Sequence, residues 1–127
     1  LSATPDTHLT AAALRNCNLT AQVITKLNRT ALVTGRKSLI LPCLGRSEKD
    51  LQNGREQFVS TESTMLNVQM SQGILEPASE HLRSEPWIVA QMAKAVLGDR
   101  STVDWDSMTA DYDLIREAIS RVVAGFE

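Results

Sequence analysis

The chain has 127 residues, 13 Lys and Arg against 15 Asp and Glu, and a formal net charge of -2. That length suits one domain with a core of its own or a fragment of a larger one. The interspersed signs leave no basic face for nucleic acid, and no apolar run approaches the roughly 20 residues of a membrane span.

The opening "LSATPDTHLT" has neither a basic n-region nor an apolar h-region, so it does not read as a signal peptide, and we expect a piece cut from a longer chain. Thr10 is placed to cap a short helix over "AAALRN", which the alanines favour and Asn16 to Asn18 stop. "LTAQVIT", 19 to 25, is short and rich in β-branched residues, as a strand is. "KLNRTALVTG" has the length of a loop with one or two helical turns, ending at Gly35. "SLILP", 38 to 42, is apolar without alternation, the pattern of a parallel strand covered on both faces. Strand, short crossover and strand make a compressed βαβ unit.

"GRSEKDLQNGREQ", from Gly45 to Gln57, is polar, holds two glycines and reads as a surface loop. About 58 to 72 a β-hairpin is expected, with Met65, Asn67 and Gln69 alternating against Leu66, Val68 and Met70. Ser84 is a good N-cap, followed by Glu85 and Pro86 in the first turn of a helix over 85–97 that Gly98 stops. Its apolar positions are Ile88, Met92 and Val96 on one line, with Val89 and Ala93 beside it. A loop with Trp105 then leads to a second amphipathic helix over 111–123, whose stripe is Leu114, Ile115, Ala118, Ile119 and Val122. The fold class that results is α/β.

The chemistry-bearing side chains are sparse. Cys17 and Cys43 lack a CxxC spacing and a nearby histidine pair, which favours reduced thiols in a cytosolic protein over a disulfide framework or a zinc site. Cys43, after Pro42 and near Arg46, offers either a thiolate at a strand end or a small apolar filler, and the lack of a neighbouring base favours filler. His8 and His81 are solitary surface residues, so no metal ligand set is expected. Glu48, Asp50, Glu56 and Glu62 read as solvated carboxylates rather than an acid/base pair, so no catalytic residue is assigned. Asn18-Leu19-Thr20 and Asn28-Arg29-Thr30 match the glycosylation triplet, which has meaning only in a secreted chain. "TKLNRT", 25 to 30, sets Lys26, Arg29, two hydroxyls and an amide just past a strand end, groups able to hold phosphate and sugar, or simply a capped turn. Ser71, Gln72 and Gly73 either let the backbone approach a ligand or close a strand.

Taken in order, "LTAQVITKLNRTALVTGRKSLILPCLGRSEKD", "VSTESTMLNVQMSQG", "HLRSEPWIVAQMAKAVLG" and "DWDSMTADYDLIREAISRVVAGFE" resemble the large (alpha) subunit of molybdopterin-dependent oxidoreductases of the formate-dehydrogenase-like type. "VITKLNRTALVTGRKSLILP" stands where that family has a strand, a threonine-rich turn and a second strand of the form "ADVVLP". "SEKD" is similar to its Glu-x-x-Gly but lacks the glycine. The resemblance implies an internal fragment of a Rossmann-like domain in an enzyme that holds molybdenum between two molybdopterin guanine dinucleotides. Thr25, Lys26, Asn28, Arg29 and Thr30 match a turn that contacts this cofactor, and Ser71, Gln72 and Gly73 match a second contact region. The metal ligand, and the cysteines of any iron-sulfur cluster in the parent, lie upstream of the matching stretch, and Cys43 corresponds to neither. The chain alone is then not catalytic. Its partners are other domains of the parent and, through the parent, a small-molecule substrate, with neither nucleic acid nor membrane. The rival expectations are a packing segment without cofactor contact and a small α/β enzyme using Cys43.

Overall fold

The computed structural model describes residues 3–65 and 67–126. Two compact units divide it, Leu1–Cys43 and Leu44–Glu127. In the first, helix α1 (Thr7–Arg15) precedes strand β1 (Leu19–Ile24), a 3-10 turn (Arg29–Leu32) and strand β2 (Lys37–Pro42). In the second, strands β3 (Asp50–Gln52), β4 (Arg55–Gln57), β5 (Val59–Glu62) and β6 (Val68–Ser71) lead to helices α2 (Glu85–Leu97), α3 (Trp105–Ala110) and α4 (Tyr112–Val122).

β1 and β2 pair in parallel from Leu19↔Lys37 to Ile24↔Pro42, as the two expected strands require. Their connection is the 3-10 turn, which Asn28 opens by accepting from the Thr30 N–H at 2.8 Å. Gly35 does not end a helix. It lies against the carbonyl of Cys17, where a Cβ would overlap that backbone, and its N–H donates to the buried Thr20 hydroxyl at 3.2 Å. α1 starts earlier than expected because Asp6, at φ 51°, accepts from the Leu9 N–H at 2.9 Å and so outcompetes Thr10 as cap. The expectation that "SLILP" is covered on both faces is not met: the consecutive Leu39 and Ile40 point to opposite faces and are 47% and 39% exposed.

The second unit departs most from a sequence reading at 45–57. Instead of a loop there is an antiparallel hairpin, Asp50↔Gln57 to Gln52↔Arg55. Its turn is Asn53-Gly54 with φ 50° and 76°, the paired positive φ angles of a tight two-residue connection. The second hairpin pairs Val59↔Ser71 to Glu62↔Val68, inside the expected span, while Leu66 of the expected alternation lies outside the described residues. α2 has the expected bounds and cap, with Ser84 Oγ accepting from Trp87 N. Its inward face is different, because Ile88 and Ala90 are buried while Val89, Met92 and Val96 are exposed. The Trp105 loop contains α3, capped by Asp104. α4 buries Tyr112, ahead of the expected stripe, and leaves Leu114, Ile119 and Val122 exposed.

Among the described residues the buried apolar set is Ala11, Cys43, Ile88, Ala90 and Tyr112, and more large apolar side chains are exposed than buried. No described helix is long and apolar enough to cross a membrane. The two glycines set a contrast. Gly35→Ala is expected to lose the cooperative unfolding of the first unit. Gly54→Ala meets no neighbour and only strains a positive φ, costing about 1 kcal/mol in denaturant titration.

Candidate functional site

The first candidate site is the turn after β1. Thr25 and Lys26 follow the strand directly, and the fixed 3-10 turn carries Arg29 and Thr30. Two side chains brace the peptide of Thr30. Asn28 takes its N–H, and Gln22, reaching up from β1, donates Nε2 to its carbonyl at 3.1 Å. The other Gln22 amide atom, Oε1, is buried and has no hydrogen-bond partner among the described residues. Thr25, Lys26, Asn28 and Arg29 are exposed, and neither cation takes part in a salt bridge of the described residues. The five expected residues therefore stand together on one braced turn at the carboxyl end of a parallel strand, where α/β sheets present ligand-binding groups.

The other three expected residues belong to the second unit. Ser71 closes β6, and Gln72 donates to Glu56 at 3.0 Å. Gly73 presses on the backbone of Glu48, where a Cβ would overlap the Glu48 carbonyl. Beside it, Ile74 and Leu75 both donate to Ser47 O, and Lys49 donates to Leu75 O. The close approach that this glycine permits is to the protein's own main chain.

Ser71 and Gly73 also line an open cleft of about 710 Å³ inside the second unit. One wall carries a polar network between elements distant in sequence. Tyr112 Oη donates to Asp50 Oδ2 at 2.6 Å and lies 2.6 Å from Ser84 Oγ. The tyrosine has one proton and gives it to the carboxylate, so the serine hydroxyl donates to the tyrosine. Ser84 still accepts from Trp87 N and Gln52 Nε2. Burial, then the charge and hydrogen bond of Asp50, push the Tyr112 phenol well above its ordinary value, so it stays protonated. Gln57 completes the network, taking the Tyr112 N–H at 3.0 Å and donating to Ala110 O at 3.3 Å.

Glu48, expected to be solvated, is also engaged. It accepts from Gly45 N at 2.7 Å and Ala78 N at 2.9 Å, and these backbone donors hold its carboxyl below the ordinary value of 4.5. It stays ionised near neutrality and holds no proton to donate. His8, His81 and Cys17 are exposed and Cys43 is buried. Among the described residues no three His, Cys, Asp or Glu side chains converge as a metal site requires. Sequence reading missed Asp50, Gln57, Ser84 and Tyr112 as a group because they come together only through tertiary contact. The one local signal was Asn53-Gly54, which announces the hairpin carrying Asp50 and Gln57.

Two outcomes test this geometry. Tyr112→Phe leaves Asp50 and Ser84 without their partner and is expected to cost about 1–3 kcal/mol in chemical denaturation. Glu48 has a folded pKa below its unfolded one. Its contribution is complete above about pH 4.5 and is lost as pH falls through the depressed folded value. Glu48→Gln is therefore expected to flatten the acid limb of a stability–pH curve and leave the alkaline limb unchanged.

Comparison with known proteins aligns these residues with a stretch of longer relatives. An uncharacterized oxidoreductase of Mycobacterium tuberculosis is 53% identical over 124 residues, and one of Mycobacterium bovis matches equally. The protein YdeP of Escherichia coli is 44% identical over 124 residues. Each match covers 98% of this chain and 16% of the relative, so the chain spans about a sixth of their length. No protein-family model matches the chain, and no solved structure matches it significantly.

Proposed function

We infer that the chain is a cofactor-binding segment of a larger, cytoplasmic, molybdopterin-dependent oxidoreductase of the formate-dehydrogenase-like type, contributing part of the wall around a molybdopterin guanine dinucleotide. The observation that carries this reading is the braced turn of Thr25 to Thr30, which holds Lys26 and Arg29 exposed and without salt bridges at the end of β1. The names of the 53% identical mycobacterial relatives, both oxidoreductases, support the broader class.

The donor set suits the group. A dinucleotide presents two linked phosphates, sugar hydroxyls and a purine edge. Arg29 and Lys26 supply the cations for phosphate, with the guanidinium able to grip two oxygens at once. Thr25 and Thr30 supply hydroxyls for the sugar. Asn28 keeps its amide nitrogen for a base or sugar because only its oxygen is spent on the Thr30 N–H. When bound, the molybdenum cofactor supplies the electron-transfer chemistry, and the residues of this chain bind and orient its nucleotide end. Ser71, Gln72 and Gly73 are assigned to a second contact region by resemblance alone.

A second reading has its own support. The exposed Leu39 and Ile40 on both faces of β2 suit a segment that packs against other parts of a larger protein. In this reading residues 25–30 never touch the cofactor.

Cofactor retention separates the two. In the full-length polypeptide, Lys26→Ala combined with Arg29→Ala is expected to lower molybdenum and guanine nucleotide content about tenfold or more, the loss of one or two charge-assisted hydrogen bonds. Arg36→Ala, an exposed cation outside the turn, is the control and should retain both. Undiminished content in the double variant, measured by metal analysis and nucleotide release, leaves the packing reading standing and removes the first.

A further inference from the structure

The cleft of the second unit is lined in part by α2, through Glu85, Pro86, Val89 and Ala90. The cleft lining includes the apolar side chains of Phe58, Ala90, Met108 and Ile115. Its lining holds four carboxylates, Glu48, Asp50, Glu62 and Glu85, and a single cation, Arg46. Glu62 and Glu85 are exposed and have no salt-bridge partner among the described residues. Val89, at the edge of this cleft, begins a row along α2 with Met92 and Val96, which are 61%, 55% and 67% exposed.

That row is unusual for a helix that already buries Ile88 and Ala90 within the chain. A half-buried surface helix turns polar side chains outward, yet α2 turns out an apolar ridge at i, i+3 and i+7, the spacing at which a second helix packs. The ridge spans about 10 Å at 1.5 Å per residue, which is long for a small ligand and short for a bilayer-facing surface.

We propose that this surface is the seat of a basic amphipathic helix supplied by the remainder of the longer polypeptide. Its apolar face lies on Val89, Met92 and Val96, and one or more Lys or Arg side chains at its end enter the cleft among Glu48, Asp50, Glu62 and Glu85. Charge selects the occupant, since an acidic segment is repelled by four carboxylates facing one guanidinium. Length selects its source, since the chain covers 16% of its relatives and a polypeptide of their size holds ample further sequence. The proposal rests on the reading of the chain as one segment of such a polypeptide, but it does not depend on which cofactor that polypeptide binds.

The test is site-specific photo-cross-linking in the full-length polypeptide, with Met92 replaced by benzoylphenylalanine. Met92 is exposed, so circular dichroism should show an unchanged fold. The expected product is an intramolecular cross-link to a peptide outside these 127 residues that bears Lys or Arg and apolar residues at helical spacing. A companion Glu62→Lys, Glu85→Lys variant should reduce its yield several-fold. A cross-link to a second copy, a cross-link to an acidic or extended segment, or no cross-link at all overturns the proposal. The intact mass of the natural polypeptide is measured alongside. If it proves to be 127 residues, the reading of a longer parent fails, and with it the proposed helix. A long polypeptide with the wrong cross-link removes the docking helix alone.

Discussion

The hydroxyl of Tyr112 is the point on which the second unit turns. It gives its proton to Asp50 at the start of β3 and takes one from Ser84 at the cap of α2, while its own helix begins at that residue. Three elements from separate parts of the sequence, 62 residues apart at the widest, are fixed by one phenol. Apolar burial in this unit is slight, the buried apolar side chains among its described residues being Ile88, Ala90 and Tyr112. Directional bonds therefore carry more of the specification here than in a domain with a large core, and a buried network of this kind is favourable only when every member is satisfied. Here the single proton of each hydroxyl has a defined acceptor.

The β3–β4 hairpin is what makes that clasp possible. Gln57 receives the Tyr112 N–H and reaches the last carbonyl of α3, Arg55 pairs with Asp111 at 2.8 Å, and Arg116 from α4 donates to Phe58 O with its guanidinium 3.8 Å from the Phe58 ring centroid. A stretch that reads as polar loop is in fact the brace for both C-terminal helices. Its polarity misleads because its side chains bond to partners more than fifty residues away, and composition registers polarity without registering partners.

Local signals were legible where their physics is local. Ser84, Glu85 and Pro86 mark the start of α2, Gly98 its end, and the β-branched run at 19–25 with the apolar run at 38–42 gives the parallel pair. Direction was not legible. The apolar positions of α2 and α4 were found, but which of them face inward depends on what covers them, and Val89, Met92, Val96, Leu114 and Ile119 are left outside by the elements present. The turn residues 25–30 were legible as a group because they are contiguous. The brace beneath them was not, since Gln22 lies inside the strand and shows no sign of its reach to Thr30.

The β1–β2 pair brings the two halves of this reading together. In parallel register, Leu19, Ala21 and Val23 share a face with Leu39 and Leu41, while Thr20, Gln22 and Ile24 face the other way. On the second face Thr20 is buried with its hydroxyl on Gly35 and Gln22 is tied to the 3-10 turn, while Ile40 of β2 is exposed there; on the first face Leu19, Val23 and Leu39 are exposed. On β1 the polar Thr20 and Gln22 are thus covered more than the apolar Leu19 and Val23. Thr20 and Gln22 spend their side-chain hydrogen bonds on Gly35 and on the turn that exposes Lys26 and Arg29. A strand built this way gives up apolar burial of its own and holds a fixed turn at its end.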